Sequence, residues 1–183
     1  MKNVKKFILP GLSAALMLTA VILVACSTVN TSFNIGMHVE EVYKGIIWGT
    51  KEVEVTAIQG GGVHSFGPLD PAILPLLGWI FVLIGMLGLV AVTFFGDKLF
   101  KSDKMVKGVA IACGVLVIVG GIFQFFAIDS FAESAARFQH LSVDNVKEQL
   151  KAANATAPLC TAGGILAIIG GVVGVVPAFL PEK

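Results

Sequence analysis

The sequence predicts an all-α membrane protein: a bundle of four transmembrane helices with a small extracytoplasmic cap of short antiparallel strands and helix. Three observations predict it. The 183-residue chain is 56% hydrophobic and only 14% charged, where an average soluble domain carries about 25% charged residues. Its apolar residues fall in four long blocks, and none of the blocks contains Asp, Glu, Lys, Arg or His. The two long connections between blocks carry strand-like and helix-like patterns instead. With 13 Lys+Arg against 12 Asp+Glu the net charge is +1, which leaves no basic footprint for a nucleic acid.

A spanning helix needs about 20 apolar residues, because the hydrocarbon core is about 30 Å thick. The predicted spans are 7–26, 72–95, 108–128 and 159–180. Lys6 precedes the first, Asp70-Pro71 the second and Pro181 follows the last. The whole chain reads as a single membrane domain. Orientation follows from Lys and Arg in the connections. Lys2, Lys5, Lys6, Lys98, Lys101, Lys104, Lys107 and Lys183 lie on one side, with only Asp97, Asp103 and Glu182 as acids. The other side carries Lys44, Lys51, Arg137, Lys147 and Lys151 among nine acidic residues. Segments 1–6, 96–107 and 181–183 are therefore expected in the cytoplasm, with loops 27–71 and 129–158 outside. This makes a multi-pass protein of the cell (cytoplasmic) membrane.

The first block has a second reading. A basic start followed by an apolar stretch is also the form of a secretory signal, and Leu23-Val24-Ala25-Cys26 resembles the bacterial lipobox. That resemblance implies cleavage before Cys26, lipidation of its thiol and a lipid-anchored three-span envelope protein. Cys26 and Cys160 would both lie at the outer ends of their spans, so a disulfide between them is another reading. In the third, Cys26, Cys113 and Cys160 are small packing residues.

Small residues that let helix backbones approach drive association inside lipid. In the last span Gly170, Gly174 and Ala178 recur every four residues, and Gly163, Ala167 and Gly171 form a parallel stripe. Gly114 in the third span and Gly85 and Gly88 in the second add to the set. Packing within one bundle and contact with a second copy are both open. Gln124 is placed about one turn from the outer end of its span, at the interface.

In the first outer loop, Glu52-Val53-Glu54-Val55-Thr56 alternates with the period of a half-buried strand. Ile46-Ile47-Trp48 precedes it, with Gly49-Thr50 as the turn between and Gly60-Gly61-Gly62 as the end. The expectation is a small antiparallel sheet over roughly 39–58. The second loop reads as helix: Phe131, Ala135 and Phe138 share a face, Glu133 and Arg137 stand at i,i+4, and Ser142 is an N-cap. Four spans, cytoplasmic termini, a longer first outer loop with short strands and a shorter second loop are similar to the claudin-like tetraspan layout. Gly45-Ile46-Ile47-Trp48 resembles that family's Gly-Leu-Trp element. The two cysteines that follow in the family's loop are absent here, so the resemblance implies topology and one Trp only.

Chemistry-bearing patterns are sparse. His38, His64 and His140 lie in the outer loops without metal-ligand spacing, and no phosphate loop or nucleophile elbow is present. No catalytic, cofactor or metal residue is expected. The reading is a non-enzymatic structural, adhesive or accessory subunit. Besides the bilayer it would engage a protein partner or a second copy, through an outer surface that includes Trp48, His38 and His64. An oligomeric pore is the alternative, and a membrane enzyme using the outer histidines a third reading.

Overall fold

The computed structural model describes residues 2–34, 38–57, 62–65, 68–100 and 102–179. Gly60 and Gly61 of the predicted glycine stop, the last residue of the fourth span and the tail 181–183 fall outside them, whereas Gly62, expected to end the sheet, opens a further strand opposite Val55. The elements run α1 (Lys2–Ala25), β1 (Thr28–Asn34), β2 (His38–Lys44), β3 (Glu52–Ala57), β4 (Gly62–Ser65), α2 (Ile73–Leu99), α3 (Asp103–Phe123), a 3₁₀ turn (Gln124–Phe126), α4 (Ala127–Gln139), α5 (Val143–Ala152) and α6 (Pro158–Phe179). Among the described residues four stretches are helical, long and apolar enough to cross a membrane: Ile8–Ala25, Ile73–Gly96, Asp103–Gln139 and Pro158–Phe179. They point to a multi-pass membrane protein. The chain divides into two compact units, one of residues 1–22, 77–123 and 162–183, the other of 23–76 and 124–161.

The first unit is helical. Each of its four helices sends side chains to one core: Met17 and Ala20 from α1, Val82, Met86 and Leu89 from α2, Val117 from α3 and Ala167 from α6. Other faces are fully apolar and exposed, for example Leu87, Phe94, Val115, Ile169 and Val172. In water such faces would be a liability; against lipid tails they match the solvent. Polar side chains are tied off internally. Ser13 donates to the Gly170 carbonyl at 2.7 Å and the Trp79 indole to the Val21 carbonyl at 3.0 Å. Thr19 and Thr93 donate to carbonyls one turn back on their own helices.

The second unit combines sheet and helix. β1 to β4 form an antiparallel meander in sequence order, with Asn34 opposite His38, Tyr43 opposite Val53 and Glu52 opposite Ser65. The alternating run expected as a strand is β3. The partner strand differs from expectation. Ile46-Ile47-Trp48 is a turn, and β2 with β1 before it takes the pairing role. Gly45 and Gly49 flank the turn at φ +71° and +92°, a region that glycine enters without penalty. Two such residues break any strand, and both Ile46 and Ile47 become buried in the turn.

The outer edge of β1 is covered. Asn30 and Thr156 exchange two backbone hydrogen bonds at 2.8 Å, and the Ser32 amide donates to the Ala153 carbonyl at 2.7 Å. An open strand edge is a template for unwanted pairing, and the α5–α6 connection removes it. α4 is held by Ser130, whose hydroxyl accepts from the Leu74 amide at 3.3 Å. Ser142 caps α5 by accepting from the Asn145 amide, and Lys147 pairs with Asp129 at 2.8 Å. Gln124 is fully buried and donates to the Pro75 carbonyl at 3.0 Å, at the point where regular helix gives way to a 3₁₀ turn.

Candidate functional site

The second unit holds a cavity of about 180 Å³ between the sheet and helices α4 and α5. Strand alternation builds one wall: Thr31 and Phe33 from β1 and Tyr43 from β2. Phe131 and Ala135 of α4 and Leu150 of α5 build the other. The Tyr43 and Phe131 rings meet edge to face, 5.0 Å between centroids. The Tyr43 hydroxyl donates to Glu41 at 2.7 Å, and Thr31 donates to the same carboxylate oxygen at 3.4 Å. Burial and the neighbouring carboxylate both oppose a phenolate, so the Tyr43 hydroxyl titrates far above the ordinary tyrosine range. This cluster packs the sheet against α4 and α5. It offers no activated nucleophile, and no phosphate cradle.

Tyr43 is the chain's single tyrosine, and neither it nor Glu41 is singled out by the sequence motifs. The signal was there in part: Val39-Glu40-Glu41-Val42-Tyr43-Lys44 lacks clean alternation because Glu40 and Glu41 are adjacent. Only the register, with Thr31 opposite Glu41 on β1, explains why the second carboxylate is needed where it stands.

The expected surface residues are more scattered. Trp48 is 53% exposed, yet its indole donates to the Ala25 carbonyl at 3.0 Å. His38 bridges Asn34 at 3.1 Å and Glu40 at 2.9 Å, on the exposed turn side of the β1–β2 hairpin. His64 belongs to β4, and its side chain lies outside the described atoms. Among the described residues no three His, Cys, Asp or Glu side chains gather as a metal site.

Cys26, Cys113 and Cys160 are free thiols. Cys26 is exposed just past the end of α1, whereas Cys160 is wholly buried beside Ser27. The two therefore sit in different surroundings, and no bond joins them. In the first unit the small residues are placed at helix contacts. A Cβ on Gly85 would fall 2.7 Å from the Cys113 carbonyl oxygen, and one on Gly88 would strike the Cys113 sulfur. A Cβ on Gly170 would meet Met17 at 2.8 Å, and one on Gly174 the Ser13 hydroxyl at 2.7 Å. Gly163 and Ala167 are buried and Ala178 is half-buried. Gly114 and Gly171 oppose each other between α3 and α6. No protein-family model matches this chain, and no curated protein matches it.

Proposed function

We propose that this chain is a non-enzymatic four-span protein of a cytoplasmic membrane, a structural, adhesive or accessory subunit that engages a partner through its sheet-and-helix unit. The observation that carries the reading is the second unit itself. Two connections of the chain are spent on a four-stranded sheet, two capped helices and a shared aromatic cluster, with an exposed Trp48 at the surface. Tryptophan exposed on an otherwise ordered loop is the residue type most enriched at binding hot spots. In this reading the unit lies outside the cell and both termini lie in the cytoplasm, as the lysine distribution favours. The layout is claudin-like: the first connection supplies the meander, and the second adds the Asn30–Thr156 bridge to its edge.

The packing of α1 favours four spans over the lipid-anchored three-span alternative. Met17 and Ala20 belong to the bundle core, and Ser13 is bonded to Gly170. Cleavage before Cys26 would remove all three. The test is co-purification of the full chain from mild detergent. A partner or second copy is expected to be retained by the native protein and lost with Trp48→Ala, while the protein stays folded with a loss of about 1 kcal/mol for the indole bond to Ala25. A protein that is strictly monomeric and without partners overturns the reading.

A further inference from the structure

The helical unit has a cavity that the proposed function does not use. About 270 Å³ lies between α1, α2 and α6. Pro10, Gly11 and Ala14 of α1 face Leu89, Thr93 and Phe94 of α2 across it. The gap has a local cause. Gly11 carries no side chain, and a Cβ built there would meet nothing within 4 Å. Its two wall hydroxyls are already committed, Ser13 to the Gly170 carbonyl and Thr93 to the Leu89 carbonyl. The lining is otherwise apolar and its two hydroxyls have no further proton to donate, so the space favours hydrocarbon over water. An empty cavity forfeits dispersion contacts along its whole lining. Hydrocarbon is the filler that satisfies both conditions, and these residues belong to helices apolar enough to be surrounded by acyl chains.

Charge selects among lipids. The cavity lies toward the lysine-bearing ends of its helices. Lys6 stands four residues before Pro10, and Lys98 four residues after Phe94, about 6 Å of helix rise in each case. Lys2 and Lys5 lie on the same end of α1, and Lys104 and Lys107 open α3. Three acids, Asp97, Asp103 and Glu182, share this side with eight lysines. Basic positions beside a crevice between spans are the pattern that recruits an anionic head group. We propose that this cavity is a binding site for an anionic glycerophospholipid. One acyl chain lies between α1 and α2, and the phosphate sits among the lysines at that end.

Native mass spectrometry of the full chain tests this, with the protein reconstituted in equimolar phosphatidylglycerol and phosphatidylcholine of identical chains. The wild type is expected to retain phosphatidylglycerol over phosphatidylcholine by about tenfold or more, given about one step of attraction per lysine. Gly11→Leu fills the open space and is expected to lose both adducts while remaining folded. The surface variant Lys98→Gln/Lys104→Gln is expected to keep an adduct and lose the preference. Equal retention of the two lipids by the wild type overturns the proposal. So does an undiminished adduct on Gly11→Leu, a cavity held by detergent in preference to lipid, or a lipid-free dimer as the only species.

Discussion

Gly114 of α3 and Gly171 of α6 stand in reciprocal contact: a Cβ on the first would lie 3.2 Å from the second's carbonyl oxygen, and a Cβ on the second 3.0 Å from the first's. Each glycine costs its helix about 1 kcal/mol relative to alanine. What offsets this is backbone approach that no larger residue permits, the main source of helix attraction in lipid. Gly171→Leu would drive a side chain into Val117 and Ile118 of α3. We expect a loss of about 1–3 kcal/mol, the usual cost of overpacking, read as a lower thermal midpoint in detergent. Gly108→Ala is the control. Nothing lies within 4 Å of that position, so alanine there is expected to be neutral or to stabilise by up to about 1 kcal/mol.

The helices are legible in the sequence because hydrocarbon imposes a length and forbids charge, and both constraints are written in plain composition. The second unit is legible only where one face is buried and the other is not. Glu52 to Thr56 alternates and is a strand. Thr28-Val29-Asn30-Thr31-Ser32 is one too, but on its inward face Thr31, which bonds Glu41, interrupts Val29 and Phe33 and hides the apolar alternation. Ile46-Ile47 has strand composition and is a buried turn, because two left-handed glycines on either side outweigh side-chain preference. The aromatic contact between Tyr43 and Phe131 joins residues far apart in the chain, and no local pattern announces it.

Tyr43 offers a titration free of overlap, since the chain has no other tyrosine. Its phenol is raised above the ordinary value of about 10 by burial first and by the Glu41 carboxylate second. A raised folded-state value means the protonated phenol is the stabilised form. That stability is complete below about pH 10 and is lost as pH rises through the folded-state value. Tyrosinate absorbance should therefore stay absent until the second unit unfolds in alkali, then appear together with unfolding. Ionisation near pH 10 in the folded protein would contradict the burial of this group. Tyr43→Phe should remove the phenol's share of the alkaline pH dependence, leaving that of the paired Lys44 and Lys147, and cost about 1 kcal/mol, the worth of one hydrogen bond.

Exposure separates the three thiols. Cys26 is exposed while Cys160 is fully buried, so a membrane-impermeant maleimide should label a single site. Under the proposed topology, intact cells label at Cys26. In a Cys26→Ser background, a reporter at Ser102→Cys, which lies between α2 and α3, should label only after permeabilisation. Labelling of the Ser102 reporter in intact cells would invert the topology.

The fate of α1 follows from its packing. Met17 and Ala20 are buried in the core, and the Ser13 hydroxyl is both bonded to the Gly170 carbonyl and in the path of any Cβ on Gly174. Were residues 1–25 removed, the faces of α6 bearing Gly170 and Gly174 would lose the helix they are shaped for. We therefore expect an intact mass near 19.1 kDa for membrane-extracted protein, without an added lipid mass on Cys26. Cys26→Ser should leave both mass class and abundance unchanged, because the thiol is exposed. Ser13→Ala, which removes the hydroxyl and its hydrogen bond without adding bulk, should lower stability by about 0.6 kcal/mol and at most about 1.7, the measured span for such bonds between membrane helices. A mass lacking residues 1–25 and carrying acyl chains, with abundance lost in Cys26→Ser, would instead make α1 a removable leader.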